Sequence, residues 1–273
     1  MKFLIFSDLD GTFLNRKTYS FGTLKKFIKK LDTSFEIIFV SSKTYEEITQ
    51  INKYLNINFP FIVENGACIF FPLKYFEGKE MMYKFMKYKN HIGFTLTRFD
   101  SNKIKEKFNF LKNKYKFSFY DNLSNKKISK ITNLKDRDIS LSKSRKFSNP
   151  IYWEDTEKKR SEFINEVKKQ NKKLEVLDGG RFLHILDNYN KGVALKKFFK
   201  IKNIIDSSYV SISLGDSEND IPMLELTDYA CIIKSKKNTN LTLKNKNIFR
   251  SKLPAPEGWK ESIENILKGE KYF

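Results

Sequence analysis

Only two cysteines occur in the 273 residues, Cys68 and Cys231, each inside an apolar run. A disulfide framework or a cysteine-built zinc site is therefore not expected, and both residues read as buried, reduced thiols. No apolar stretch approaches the roughly 20 residues that a membrane-crossing helix needs. No charged-then-apolar leader precedes Phe3, so a cytoplasmic protein without a membrane partner is expected. Internal repeats, heptads and low-complexity tracts are also absent. Arginine is scarce, with seven of the 52 basic residues against 45 lysines. The net charge of +20 would suit nucleic acid, but base readout leans on bidentate arginine. The lysines are spread along the whole chain as on solvated faces, among abundant Asn, Ile and Phe, a composition that an A+T-rich coding sequence produces. No nucleic-acid partner is expected. The rival reading, a basic nucleic-acid-binding module on a relict fold, would show as salt-dependent binding without metal-dependent turnover. A positive field also draws in a multiply charged anion.

What is present is ample material for a packed interior: 40% apolar residues and 26 phenylalanines. The length allows one large or two modest domains. The opening stretch, Phe3-Leu4-Ile5-Phe6-Ser7-Asp8-Leu9-Asp10-Gly11-Thr12, reads as a strand buried on both faces that ends in a turn. Asp8 and Asp10 project the same way from its carboxyl end, the end at which open α/β sheets bind ligands. Converging carboxylates repel unless a cation or proton lies between them. Gly11 supplies a turn whose N–H groups can face an anion. A hard cation such as Mg²⁺ together with a phosphate suits this arrangement. The plain alternative is a strand end with two solvated acids.

Strand and helix then alternate. A helical stripe covers residues 21–31, a buried strand 37–40, and a capped helix starts at Thr44 and Glu47. A third strand, residues 61–63, ends in Glu64-Asn65-Gly66, a tight reversal into residues 67–71. From about residue 82 to residue 186 the pattern changes to short β-prone runs, residues 92–97 among them, with two helical stretches. Between those helices lies a polar segment, residues 124–150. The α/β rhythm resumes with a helix opening at Lys191 and a strand, residues 209–214, ending in Gly215-Asp216-Ser217-Glu218-Asn219-Asp220. The expected fold is α/β: a Rossmann-like parallel-sheet core, residues 1–81 and 187–273, with an inserted α+β cap, residues 82–186. No oligomeric state follows.

Four strand ends or helix starts thus offer suitable groups: Asp8 with Asp10, Ser41 with Ser42, Lys191, and Asp216 with Asn219 and Asp220. Singly each has a dull reading, as a helix cap, one lysine among many, or a solvated loop. Their order, type and position together carry the weight.

With these residues in place the chain resembles the haloacid-dehalogenase-like phosphatases. The motif Asp8-Leu9-Asp10-Gly11-Thr12, the strand-terminal Ser41, Lys191 and Gly215-Asp216-Ser217-Glu218-Asn219-Asp220 match their D-x-D-G-T, Ser, Lys and G-D-x-x-N-D. The position of the insertion resembles a C2-type cap. Ser41-Ser42-Lys43-Thr44, residues 60–67, Gly179-Gly180-Arg181-Phe182-Leu183-His184 and Gly258-Trp259 resemble the mannosyl-3-phosphoglycerate phosphatase family. The resemblance implies a nucleophile Asp8, an acid/base Asp10, and Mg²⁺ on Asp8, Asp10 and Asp216. It implies supporting roles for Ser217, Asn219 and Asp220, and Ser41 and Lys191 on the phosphoryl oxygens.

Gly11, Thr12, Ser42, Lys43, Asn65, Arg145, Ser148, Arg181 and His184 complete the implied substrate set, with Arg181 best suited to a glycerate carboxylate. His184 lies on an apolar run, which favours a packed side chain. The family's R-E-F-S-E-P reads Arg145-Lys146-Phe147-Ser148-Asn149-Pro150 here, with both acids replaced. The implied substrate is a small phosphorylated sugar-glycerate, mannosyl- or glucosyl-3-phosphoglycerate, hydrolysed to a glycosylglycerate in compatible-solute synthesis. Another sugar phosphate such as sucrose phosphate, or phosphomutase action on the same core, are the alternatives.

Overall fold

Every residue of the first strand, β1 (Phe3–Ser7), is buried, because the sheet it centres is covered on both sides. The computed structural model describes residues 2–77, 83–205, 208–235, 241–245 and 247–269. After β1 come α1 (Leu24–Ile28), β2 (Phe35–Val40), α2 (Tyr45–Leu55), β3 (Phe61–Val63), β4 (Cys68–Pro72), β5 (Met86–Tyr88) and β6 (His91–Thr95). The middle of the chain forms α3 (Ser101–Phe108), β7 (Phe117–Phe119), α4 (Asn125–Thr132), α5 (Asp136–Lys143), β8 (Ile151–Trp153), α6 (Glu157–Gln170), β9 (Leu174–Asp178) and β10 (Leu183–Asp187). The last part is α7 (Lys191–Ile205), β11 (Val210–Gly215), α8 (Ile221–Leu224), β12 (Tyr229–Lys234), β13 (Ile248–Pro254) and α9 (Glu257–Gly269).

Among the described residues the larger sheet has nine strands in the order β13-β12-β11-β1-β2-β3-β4-β6-β5. Pairing is parallel from β13 to β3 and antiparallel from β3 to β5. Strand β1 thus lies between β2 and β11, where the strand order reverses and where ligands bind in such sheets. Alternation along β1 serves two cores. Phe3 and Ile5 pack with Tyr45 and Ile48 of α2 and Trp259 and Ile263 of α9. Leu4 and Phe6 pack with Leu195 and Phe198 of α7. The smaller sheet is antiparallel, in the order β7-β8-β10-β9. Ile104 and Phe108 of α3 and Phe163 and Val167 of α6 bury Phe117, Phe119 and Ile185 of this sheet. Among the described residues no helix is long and apolar enough to cross a membrane.

Several expectations shift. The boundary expected between residues 81 and 82 lies outside the described residues, and on its far side β5 and β6 still belong to the larger sheet. The β-prone run at 92–97, read as part of the insertion, is therefore mostly β6, paired to β4 with Phe70 opposite Gly93. The polar segment 124–150 holds α4 and α5. Only two residues of each helix are buried, Ile128 and Thr132, and Ile139 and Ser142, too few for an apolar stripe to show. Strand β13 lies at the sheet edge with one buried residue, so it lacks the alternation that marks a strand. The 21–31 helix contracts to Leu24–Ile28.

Candidate active site

The first loop is built by its backbone. Leu9 O accepts from the N–H groups of Thr12, Phe13 and Leu14 at 3.2, 3.1 and 2.7 Å. Gly11 turns the chain at φ 97°, and a Cβ there would fall 2.6 Å from Asp216 Oδ2. Only glycine lets the D-x-D loop approach the end of β11 so closely. Asp8 N donates to Leu214 O at 3.0 Å, tying the two strand ends together. The helix carrying Lys191 is brought in by a second close approach: Gly66, at φ 105°, would place a Cβ 2.4 Å from Asn190 O.

These loops converge on one buried group of charges. Lys191 Nζ lies 2.6 Å from Asp8 Oδ1 and 2.6 Å from Asp220 Oδ1. The other Asp220 oxygen accepts from the N–H groups of Asp216 and Ser217, each at 3.0 Å, and from Ser217 Oγ at 3.2 Å. Ser217 Oγ also donates to Asn219 Oδ1 at 2.7 Å. Carboxylate oxygens of Asp8, Asp216 and Asp220 lie within 4.8 Å of one another. Burial pushes the Asp8 carboxyl up to about 7 and Asp220 and Asp216 add to this, while Lys191 opposes it. Asp216 rises to about 6 through burial and Asp220, against Arg16 and Lys191. Burial would lower the Lys191 ammonium, yet Asp220 and Asp8 hold it above its ordinary value.

Two features suit this group to a divalent cation. Three acids crowd together, and Asp216 Oδ1 is buried without a hydrogen-bond partner among the described residues. Oxygen-rich, buried and underneutralised sites take hard cations.

Above the acids lies a cavity of about 430 Å³ lined from both sheets. Of the residues singled out from sequence, Asp8, Asp10, Ser42, Lys43, Asn65, Arg145, Arg181, His184, Ser217 and Asn219 line it. Lys191, Asp216 and Asp220 are buried beneath. Four others stand apart from the lining: Gly11, Thr12, Ser41 and Ser148. Ser41 Oγ accepts from Lys43 N at 3.3 Å, and Thr12 is fully buried. Ser148 differs most from a substrate contact, because its hydroxyl donates to Glu64 Oε2 at 2.5 Å. His184 is buried and held far down, to about 3, by burial and then by Arg145; its Nδ1 has no partner among the described residues.

Sequence reasoning missed several lining residues, among them Arg16, Tyr19, Glu47, Tyr120 and Ser142. Glu47 carried one signal, its capping-box spacing. Its Oε2 accepts from Thr44 N at 2.9 Å, leaving Oε1 for Lys43 Nζ at 3.3 Å. Lys43 Nζ also lies 3.1 Å from Asp10 Oδ1.

The two sheets' elements meet around this cavity. Arg145 Nη2 donates to Ser42 O at 2.7 Å, and Thr44 Oγ1 donates to Leu141 O at 2.9 Å. Tyr19 OH donates to Thr132 O at 2.6 Å. Arg181 donates to Tyr19 OH at 2.6 Å and to Arg16 O at 3.1 Å. Glu64 accepts from Lys146 N, Phe147 N and Ser148 Oγ.

Comparison with known proteins gives a consistent picture. The profile of haloacid dehalogenase-like hydrolases matches residues 5–252. A protein of Persephonella marina named glucosyl-3-phosphoglycerate/mannosyl-3-phosphoglycerate phosphatase is 33% identical, over 97% of this chain and 97% of its own length. A protein of the same name from Methanococcoides burtonii is 29% identical over 98% of each chain. Among solved structures, a Thermoplasma acidophilum protein superposes with a TM-score of 0.66 at 16% identity, covering 100% of both chains.

Proposed function

Since this chain belongs to the haloacid dehalogenase-like hydrolases and is a sugar-phosphate phosphatase, we propose that its substrate is 3-phosphoglycerate carrying glucose or mannose. It releases inorganic phosphate and the glycosylglycerate. The observation that carries this reading is the placing of two arginines. Arg145 and Arg181 line the same cavity as Asp8 and Asp10, and their guanidinium forks suit a substrate with a carboxylate besides its phosphate.

In this reading Asp8 attacks phosphorus, the bond to the glycerate oxygen breaks, and Asp10 delivers a proton to that oxygen. Asp10 then takes a proton from the water that hydrolyses the aspartyl-phosphate, which frees phosphate and restores Asp8. Lys191 sits against Asp8 to hold the charge that spreads over the phosphoryl oxygens, with Ser41 at the end of β2 assisting. Asp220 acts through Lys191, holding its ammonium with one oxygen while its other is fixed by Ser217 and the Asp216 N–H. Asp8, the Asp10 carbonyl and Asp216 would hold Mg²⁺, which when bound neutralises charge on the phosphoryl group.

We assign substrate choice to the inserted unit that contains the smaller sheet, because Arg145, Arg181 and His184 come from it. Within the 145–150 segment only Arg145 and Pro150 line the cavity. Lys146 Nζ instead lies 3.6 Å from the Tyr88 ring centroid, and Asn149 is buried. The replaced acids thus leave glucose and mannose equally open. We place the reaction in the cytoplasm.

The test is phosphate release from both glycosyl-3-phosphoglycerates, sucrose phosphate and simple sugar phosphates, with Mg²⁺ and after chelation. Fastest, Mg²⁺-dependent release from a glycosyl-3-phosphoglycerate is expected. No release from either compound, or transfer that conserves organic phosphate, overturns the assignment.

A further inference from the structure

Arg16 is bound at both ends to parts of the site with different tasks. Its Nη1 donates to Asp216 Oδ2 at 2.8 Å, and its backbone carbonyl accepts from Arg181 Nη2 at 3.1 Å. The Asp216 side chain is fully buried, whereas that of Arg16 is 34% exposed and borders the cavity. The guanidinium therefore reaches down from the substrate space onto a carboxylate that suits a divalent cation. The loop that carries it is internally braced. Asn15 Oδ1 accepts from the N–H groups of Lys17 and Thr18, and Asn15 O accepts from Tyr19 N. Arg16 can thus change partner by side-chain rotation while its carbonyl stays with Arg181.

We propose that Arg16 is a counter-ion exchanged between the cation site and the substrate. It neutralises Asp216 in competition with a divalent cation, and once the cation binds there it turns to the substrate's negative charge. A guanidinium and a divalent cation sharing one carboxylate repel each other. A substrate anion taken by Arg181, whose fork is already placed by Tyr19 OH and Arg16 O, would give the displaced guanidinium its new partner. Cation and anionic substrate are thereby coupled: each favours the arrangement in which Arg16 has left Asp216. The substrate half of this inference rests on the glycosyl-phosphoglycerate reading, whereas the cation half does not.

The test separates the two. Mg²⁺ affinity is measured by calorimetry on the full chain without substrate, for the native protein, Arg16→Gln and Arg16→Met. Both variants should bind Mg²⁺ at least about fivefold more tightly, the lower end of ordinary coupling between sites. Thermal unfolding checks that each variant folds. The KM for the glycosyl-phosphoglycerate should rise in both, with a much smaller change for p-nitrophenyl phosphate. Unchanged or weaker Mg²⁺ binding in a folded variant overturns the exchange, since Arg16 would then support Asp216 as a ligand. Tighter Mg²⁺ binding with no change in KM removes the substrate half. If native protein fails to turn over glycosyl-phosphoglycerates, the substrate reading falls and the calorimetry still decides the cation half.

Discussion

Lys191 Nζ stands 2.6 Å from Asp8 Oδ1 although 182 residues separate them in the chain, and its side chain is 1% exposed. A buried ammonium flanked by two carboxylates cannot be removed without leaving charge unpaired. Lys191→Met should therefore cost about 3–5 kcal/mol of stability, read from urea unfolding. Phosphate release should fall by at least about 100-fold, as when a preorganised transition-state donor is lost. Asp8→Asn keeps a polar partner for Lys191 and should fold normally while losing turnover. Near-native turnover in folded Asp8→Asn would remove Asp8 from the nucleophile's role.

Glu64 joins a core loop to the segment bearing Arg145. It is buried, accepts from Lys146 N, Phe147 N and Ser148 Oγ, and lies 3.7 Å from Arg145 Nε. Glu64→Gln retains the shape but weakens these charge-assisted bonds, at a cost of about 1.5–3 kcal/mol. Because Arg145 lines the cavity, KM for the proposed substrate should rise more than KM for p-nitrophenyl phosphate. Parallel changes for both would show that the loop does not position Arg145.

Arg181→Ala should weaken binding of the glycosyl-phosphoglycerate more than that of a minimal phosphate ester. Its guanidinium already bonds Tyr19 OH and Arg16 O, so part of the loss comes from loosening the two sheets' contact. Tyr19→Phe removes the phenol that bonds both Thr132 O and Arg181 and should reproduce that part alone. Equal losses on both substrates in Arg181→Ala would end the carboxylate role.

Two buried histidines make stability depend on pH. Burial lowers His91 to about 4, and burial followed by Arg145 lowers His184 to about 3, against about 6.5 in the unfolded chain. The unfolded state therefore binds more protons between these values. The stabilisation is complete above about pH 6.5 and is lost as pH falls toward 4 and then 3. Each histidine contributes at most about 1.4 kcal/mol per pH unit in that window. Asp8 and Asp216, raised by burial, act in the opposite sense over the same range, stabilising as pH falls. Replacing both histidines with glutamine should therefore shift the slope of unfolding free energy between pH 6 and pH 4.5 toward stability that falls as pH rises. An unchanged slope in the double variant would remove the histidines from this dependence.

The central fold was legible because β1, β2 and β11 are buried on both faces and end in residues whose chemistry stands out. The Glu64-Asn65-Gly66 reversal was equally plain: β3 and β4 pair antiparallel, with Asn65 and Gly66 at positive φ. Arg16 and Tyr19 were not legible, since their placement depends on Asp216 and Thr132, more than a hundred residues away. For Ser148 the motif names the residue and not its partner, Glu64. A motif fixes residue type, whereas the choice between substrate and Glu64 is made by packing. Helices α4 and α5 escaped for the same reason, because their few buried side chains meet a small cluster around Tyr120 and Leu123.

Strand β1 pairs on one side with β2, close in sequence, and on the other with β11, whose register sets Phe3 opposite Val210. During synthesis the amino-terminal strand therefore emerges from the ribosome long before its second neighbour exists. Contacts of such long sequence separation form slowly and leave apolar edges uncovered in the meantime. The flank of β1 that β11 will cover is thus exposed on the nascent chain until Val210–Gly215 has been translated.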